Sequence, residues 1–276
     1  MTAAQLSPGS IEANSIPTQF NAATYFVDRN VAEGRGDSIA IECGDERVSY
    51  HQVLERVNRF GNALRHALGV RIEERVLLLL LDSPEYAYSF FGAMKIGAVP
   101  IPTSTLFKPA DYEYLLNDSR ARVIVVSEAL LPQLQAIPRD RLRYLHHVVV
   151  VGNAPPGAQA FDDLLAAALP ELEAEPTSKD DTAFWLYSSG STGAPKGCVH
   201  LHHDMLVCTE LYARGVLGMT ERDRCFSVAK LFFAYGLGNA LYFPFAVGAT
   251  TILFPGPPTA PNVFDVVRRH KPTLFY

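Results

Sequence analysis

The sequence has few of the residues that mark disulfide-rich, zinc-binding or membrane-spanning chains. Its four cysteines show neither paired zinc spacing nor the framework of a small secreted domain, which favours a reducing compartment. The longest aliphatic run, Val76–Leu81, is far too short to cross a bilayer, and no secretory signal is visible. We therefore expect a cytoplasmic protein that has no membrane partner. The cysteines are Cys43, Cys198, Cys208 and Cys225.

Charge is also scarce, and this argues against nucleic acid as a partner. Charged residues make up 19% of the chain and the net charge is −5, so no basic stripe is available for a phosphate backbone. The 48% of hydrophobic residues in 276 positions can bury a large core. We expect one large domain or two small ones, and the sequence leaves a homodimer open.

Helical and strand patterns alternate along the first half. Ser49 and Gln52 form a capping box for a helix whose apolar face continues to Gly69. Ser83 is a predicted cap, and Pro84 the first residue, of a second helix. This alternation predicts an α/β fold of mostly parallel sheets flanked by helices. The other clear segments are strands at Val76–Leu81, Val123–Val126 and Val148–Val151 and a helix at Tyr112–Asp118.

Two polar breaks suggest internal boundaries. Asn153–Gly157 is rich in turn residues, and Pro176–Asp181 precedes an apolar run. We place a junction near residue 175. Residues 1–175 would form a first α/β subdomain with an N-terminal extension, and residues 176–276 the start of a second.

A Gly-rich segment carries the strongest chemical signal. Tyr187–Gly197 contains six consecutive Gly, Ser or Thr residues before a lysine. Such a loop holds phosphate, because its amides and hydroxyls can bond oxygens while Lys196 adds a positive charge. Its spacing is not that of the common P-loop. Pro195 disfavours a helix starting at Lys196, so we expect a loop between two strands. Runs of this composition are often plain linkers, but apolar segments flank this one on both sides.

The segment Ser188–Gly197, with His202 at the expected offset, resembles the phosphate loop of adenylate-forming acyl- and aryl-CoA ligases. Ala229–Asn239 is similar to the benzoate-CoA ligase branch of that family. The resemblance implies the N-terminal part of the large domain of an adenylate-forming enzyme, with ATP, Mg²⁺ and CoA as cofactors and cosubstrate. It also implies that the magnesium ligand and the adenylation lysine lie beyond residue 276, so this fragment would be inactive or weakly active.

The same resemblance assigns the site residues. Lys196 and Thr192 would be catalytic, Ala234 beside Tyr235 would leave room for a single ring, and no metal ligand is assigned. Many relatives carry histidine at the position of Phe233 and proline at that of Lys230. The nucleotide-binding residues would be Ser188, Ser189, Gly190, Ser191, Thr192, Gly193 and Lys196, and the substrate-binding residues Phe233, Ala234, Tyr235 and Gly236.

The implied reaction activates benzoate with ATP as an acyl-adenylate and transfers it to CoA. A hydroxybenzoate or a fatty acid is an alternative substrate, and a non-catalytic nucleotide-binding module is an alternative function. A hydrolase is disfavoured because no Gly-x-Ser-x-Gly elbow surrounds Ser191. A metal site at His200, His202 and His203 is disfavoured because no second ligand cluster accompanies them, and Asp204 can cap the next helix.

Overall fold

The computed structural model describes residues 15–188 and 193–276. The strands are β1 (Ile39–Cys43), β2 (Glu46–Ser49), β3 (Arg75–Leu79), β4 (Val99–Pro102), β5 (Val123–Ser127), β6 (His147–Val151), β7 (Gln159–Ala160), β8 (Thr182–Ser188), β9 (Lys196–Leu201), β10 (Arg224–Phe226), β11 (Thr250–Leu253) and β12 (Leu274–Phe275). The α-helices are α1 (Arg29–Ala32), α2 (Tyr50–Asn62), α3 (Pro84–Lys95), α4 (Pro109–Asp118), α5 (Leu131–Gln135), α6 (Phe161–Ala167), α7 (His202–Cys208), α8 (Ala234–Leu237), α9 (Phe243–Val247) and α10 (Ala260–His270). Single π-helical turns cover Thr24–Asp28, Ala63–Ala67, Thr209–Arg214 and Gly238–Tyr242, and 3₁₀ turns cover Glu128–Leu130 and Arg139–Arg141.

The first sheet is entirely parallel, in the order β4-β3-β5-β6-β7. Strand β3 lies between β4 and β5, and its apolar side chains are fully buried. This is the environment that a continuous aliphatic run predicts, since helices cover both faces of a parallel sheet. The predicted α/β class with mostly parallel sheets is therefore confirmed.

The second sheet has the order β12-β10-β11-β1-β2, and only β2 runs antiparallel to its neighbour. Strand β1 pairs with β11 through Ile41 and Thr251, more than two hundred positions apart in the chain. This sheet therefore takes strands from both sides of residue 175. The division of the chain at that residue stays a prediction.

Helices α2 and α3 pack closely against each other. The capping box of Ser49 and Gln52 is present at the start of α2, as predicted. A Cβ atom on Gly92 of α3 would lie 3.0 Å from the Val57 carbonyl oxygen and 3.2 Å from the Gly61 nitrogen of α2. Glycine at the contact allows the two backbones to approach this closely. One large apolar cluster contains residues of both helices and of both sheets, and a second cluster includes side chains of β3 and β5.

The start of α3 differs in one detail from the prediction. Pro84 is the first helical residue, but the side chain of Ser83 accepts no hydrogen bond from the helix backbone. Its hydroxyl instead donates to Glu85 Oε2 at 2.5 Å. Ser83 is therefore the N-cap residue, as predicted, but its side chain does not cap the helix, because a neighbouring carboxylate competes for the hydroxyl.

Two properties expected from composition can be compared with the described residues. All four cysteines have free thiols. Across residues 15–188 and 193–276, every helix is too short or too polar to pass through a lipid bilayer.

Candidate functional site

Two ends of the Gly-rich segment are described. One is Ser188, the last residue of β8, and the other is residues 193–197, which lead into β9 at Lys196. Ser188 pairs with Lys196 in antiparallel register, so the chain reverses between them. Both side chains are exposed. Gly193 has a φ of +106°, in the left-handed region that favours glycine. Lys196 begins a strand rather than a helix, as the proline before it predicted.

Four of the predicted phosphate ligands lie outside the described residues: Ser189, Gly190, Ser191 and Thr192. Their contacts with phosphate, and the catalytic role of Thr192, stay predictions. Ser188 and Lys196 offer a hydroxyl and an ammonium group from opposite strands of the hairpin. Such a pair can bind an anion by charge-assisted hydrogen bonds.

His202 anchors the far end of the hairpin. It is the first residue of α7 and is buried, and its Nδ1 accepts a hydrogen bond from the Ala22 N–H at 3.0 Å. Burial lowers the pKa of its imidazole to about 4. Asp204 Oδ2 accepts from the Leu201 N–H at 2.8 Å, which satisfies a backbone donor at the start of the helix. His202 therefore joins the end of the hairpin to the N-terminal segment that contains Ala22.

The three neighbouring histidines make different contacts. His200 stacks on the Phe184 ring with centroids 4.5 Å apart, whereas His203 Nδ1 lies 3.1 Å from Asp180 Oδ1. His202 faces the N-terminal segment through Ala22. Within the described part of the chain, no group of three or more His, Cys, Asp or Glu side chains is arranged to hold a metal ion.

The predicted substrate segment joins a turn after β10 to the short helix α8. Phe233 and Tyr235 are 48% and 55% exposed, and Ala234 between them is also exposed. Large aromatic side chains with this exposure are available for contact with a ligand or another part of the protein. The neighbouring Phe232 is buried. Its ring therefore packs inside the protein, whereas the rings of Phe233 and Tyr235 are exposed.

Gly236 differs from the other three predicted substrate residues because it is buried. A Cβ atom at this position would lie 2.1 Å from the Lys230 carbonyl oxygen and 2.3 Å from that of Ala229. The turn before α8 can therefore fold back on the helix only if this residue is glycine. Gly236 shapes the backbone of the substrate segment, whatever else it contacts.

A cavity of about 60 Å³ reaches Ala234 from the side of the hairpin. Its wall is mostly apolar, with an imidazole, a carboxylate and a thiol among the lining groups. The lining residues are Phe184, Leu186, His200, Asp204, Met205, Cys208, Ala234, Leu237 and Tyr242. A larger open groove of about 750 Å³ lies between α2 and residues 170–173 and contains none of the predicted site residues. Of these two cavities, the small one is connected to the candidate site.

Sequence reasoning missed the interactions of Lys230. Its Nζ donates to the carbonyl oxygens of Phe254 at 2.5 Å and Gly256 at 2.8 Å, and lies 3.8 Å from Asp82 Oδ2. The other oxygen of Asp82 accepts the Leu231 N–H at 3.1 Å. Lys230 and Asp82 thus connect the substrate segment to the residues that follow β3 and β11. The only sequence signal was the departure from the proline of many relatives.

Burial shifts the pKa values of both Asp82 and Lys230. Burial raises the pKa of the Asp82 carboxyl to about 6, although the Lys230 ammonium opposes that shift. Burial also lowers the pKa of Lys230, and the Asp82 carboxylate partly offsets it. A buried ion pair with this desolvation depends on both partners being present.

The chain is similar to enzymes that attach aromatic acids to CoA. It is 49% identical over 264 residues to a benzoate–CoA ligase of Thauera aromatica, covering 96% of this chain and 50% of that protein. It is 44% identical over 257 residues to a 4-hydroxybenzoate–CoA/benzoate–CoA ligase of Rhodopseudomonas palustris, covering 93% of this chain and 47% of the relative. The chain thus spans about half the length of these relatives.

Solved structures agree with these relatives. An anthranilate CoA ligase in complex with anthranoyl-AMP superposes with a TM-score of 0.93 at 42% identity, covering 96% of this chain and 51% of that one. A benzoate CoA ligase from Burkholderia xenovorans superposes with a TM-score of 0.84 at 43% identity, covering 93% and 50% respectively. The AMP-binding enzyme family matches residues 28–276, which include the hairpin and the substrate segment. By this match and this fold, the chain belongs to the AMP-binding enzyme family.

Proposed function

We propose that the protein containing this chain is an ATP-dependent ligase that activates benzoate, or a close aromatic acid, and transfers it to CoA. The observation that carries the proposal is an exposed Lys196 at the end of a phosphate-loop sequence, in a chain 49% identical over 96% of its length to a benzoate–CoA ligase. The products would be benzoyl-CoA, AMP and pyrophosphate.

The chemistry requires no nucleophile from the enzyme. A carboxylate oxygen of the acid forms a bond to the α-phosphorus of ATP, and the bond from that phosphorus to pyrophosphate breaks. The CoA thiol then loses its proton to solvent and its sulfur bonds to the carbonyl carbon. The bond from that carbon to the phosphate oxygen breaks, and AMP leaves with the electron pair. Catalysis therefore depends on positioning the reactants and on neutralising phosphate charge.

Lys196 fits this task because its ammonium is exposed next to the position where phosphate would bind. In the proposal, Ser188, Gly193 and the hydroxyl of Thr192 provide further donors to the phosphate oxygens. Mg²⁺ would be bound together with the nucleotide, but the described residues do not form a site for it by themselves. We therefore assign no step to a metal ligand of this chain.

The aromatic ring would lie against Phe233, Ala234 and Tyr235. Burying a ring of this size is favourable by a few kcal/mol, whereas the carboxylate loses hydration. Adenylation removes the charge that made this burial unfavourable. An exposed pair of aromatic side chains beside a small alanine supports a flat substrate of one ring.

The test is an assay of the full-length protein with benzoate, ATP, Mg²⁺ and CoA. We expect benzoyl-CoA and AMP in equal amounts. The Lys196→Gln variant should lower kcat/KM by about 10²- to 10³-fold, since a charge contact made to the reacting phosphates is lost. Lys271→Gln is the matched control, because Lys271 is an exposed lysine directly after α10 and is not part of the Gly-rich segment.

The same preparation separates the alternatives. Binding of ATP without formation of AMP would indicate a non-catalytic nucleotide-binding module. Ester hydrolysis without ATP would indicate a hydrolase. Pyrophosphate release measured with benzoate, 3- and 4-hydroxybenzoate, anthranilate and a short fatty acid would rank the substrates, and a preference for the fatty acid would contradict the aromatic assignment.

A further inference from the structure

Two tyrosines and one aspartate connect helix α4 with both ends of the Gly-rich segment. The hydroxyl of Tyr114 on α4 donates to the Pro195 carbonyl oxygen at 2.9 Å. The hydroxyl of Tyr187 on β8 donates to Asp118 Oδ2 at the end of α4, at 2.6 Å. Helix α4 therefore contacts β8, which precedes the Gly-rich segment, and Pro195, which lies near the end of it.

The positions of these contacts along the hairpin are informative. Tyr187 immediately precedes Ser188, and Pro195 immediately precedes Lys196. Ser188 and Lys196 are the pair that closes the described end of the hairpin. Each contact thus lies one residue away from a predicted phosphate ligand.

Helix α4 is a firm support for these contacts. It spans ten residues, and its inner face is buried in the core of the first sheet through Tyr112, Leu115 and Leu116. The ring of Tyr187 packs against the same apolar cluster. A support that is fixed by core packing transmits its position to the groups bound to it.

The titration of the two phenols is compatible with a permanent contact. Burial raises the pKa of Tyr187, and the Asp118 carboxylate raises it further. Desolvation and the nearby Asp118 also raise the pKa of Tyr114. Both hydroxyls therefore remain hydrogen-bond donors throughout the neutral pH range.

We propose that Tyr114, Tyr187 and Asp118 are positioning residues that hold the two described ends of the hairpin, and with them Ser188 and Lys196, in register with the triphosphate of ATP. This inference rests on the proposed function. The residues act through the loop and do not contact the nucleotide. A small displacement of a positioned group can reduce the rate of reaction by a large factor. Loss of one hydrogen bond at either end of the hairpin should therefore have a measurable effect on the reaction with ATP.

The test uses the full-length protein and the variants Tyr114→Phe and Tyr187→Phe, which keep the rings and remove only the hydroxyls. We expect KM for ATP to rise about fivefold or more in each, as the loss of a single neutral or charge-assisted hydrogen bond predicts. KM for benzoate and for CoA should stay within about twofold of wild type, because neither contact reaches the substrate segment.

Tyr112→Phe is the matched control on the same helix. The Tyr112 hydroxyl also donates to a backbone carbonyl, that of Ser104 at 3.0 Å, but not to one near the hairpin. A purely structural role of the phenols would make all three variants alike in melting temperature and in kinetics. The inference requires that Tyr112→Phe leave KM for ATP unchanged even where its melting temperature falls.

Asp118 provides a second, independent test. Asp118→Asn keeps an oxygen that can accept from Tyr187, whereas Asp118→Ala removes it. The asparagine variant should therefore recover most of the ATP affinity that the alanine variant loses. An unchanged KM for ATP in folded Tyr114→Phe and Tyr187→Phe would overturn the inference. A wild-type protein that consumes no ATP would instead overturn the proposed function.

Discussion

Replacement of Lys230 by methionine tests how the substrate segment is held. Methionine keeps the unbranched apolar stem but removes the ammonium that contacts Phe254 O, Gly256 O and Asp82. The carboxylate of Asp82 would remain, only 5% of that residue being exposed. The predicted consequence is a loss of stability that depends on the charge of Asp82.

The expected magnitude follows from the geometry. Removing one partner of a buried ion pair costs about 3–5 kcal/mol of unfolding free energy. Here the charges are 3.8 Å apart and the Lys230 side chain is 17% exposed, so the pair is at the weaker end of that range. We expect a loss of about 3 kcal/mol at about pH 8, where Asp82 is ionised.

The loss should become smaller in acid. The folded-state pKa of Asp82, about 6, lies above its ordinary value of 3.8, so its protonation favours the folded state. That stabilisation is complete below about pH 4 and disappears as the pH rises through about 6. Without the Lys230 ammonium the folded-state pKa rises further, and the penalty for ionising Asp82 increases. At about pH 5 the variant should therefore lose only about half as much stability as at about pH 8.

Urea unfolding at both pH values measures this difference. Lys271→Met controls for the removal of an exposed lysine, and the double variant Lys230→Met with Asp82→Asn removes both charges. The double variant should be more stable than Lys230→Met at about pH 8, because no unpaired charge is left buried. A loss below about 1 kcal/mol, or one that is equal at the two pH values, would refute the reasoning.

Three further changes test the substrate segment and the histidine at the end of the hairpin. Tyr235→Ala should raise KM for benzoate while changing the unfolding free energy by less than about 0.5 kcal/mol, because the side chain is mostly exposed; unchanged benzoate kinetics would remove Tyr235 from the pocket. Gly236→Ala should destabilise the protein by about 1–3 kcal/mol and impair benzoate use, because its Cβ would overlap the Lys230 carbonyl oxygen; full activity would contradict this. His202→Gln should remove a loss of stability of about 3 kcal/mol that wild type shows as the pH falls from about 6.5 to 4, since the folded-state pKa of His202 is depressed; the same pH dependence of stability in the variant and in wild type would contradict this.

Local signals predicted the elements that carry most of the fold. The helix start at Ser49 follows from a reciprocal side-chain pattern that acts within four residues, and its capping box is present. The strands on either side of the Gly-rich segment follow from short apolar runs, and β8 and β9 are there. Ser83 shows the limit of such signals, since a competing carboxylate two positions away changed its partner.

The contacts that assemble the site could not be predicted in this way. The pairing of Ile41 with Thr251, and the bond from Tyr114 to Pro195, join residues far apart in sequence whose local patterns contain no information about each other. Lys230 likewise donates to two carbonyl oxygens in the segment that follows β11, more than twenty positions further along the chain. Such partners become visible only when the sheets are assembled, because register and packing decide which groups meet.

The position of the candidate site follows from that assembly. Asp82 comes after the carboxyl end of β3 in the first sheet, Phe254 comes after that of β11 in the second, and the substrate segment follows β10. Lys230 and Asp82 join these three points, while β8 of the hairpin packs beside β4. Loops at the carboxyl ends of parallel strands are where open α/β sheets bind ligands. An ion pair between the carboxyl ends of the two sheets therefore holds the aromatic segment at the kind of sheet edge where ligands bind.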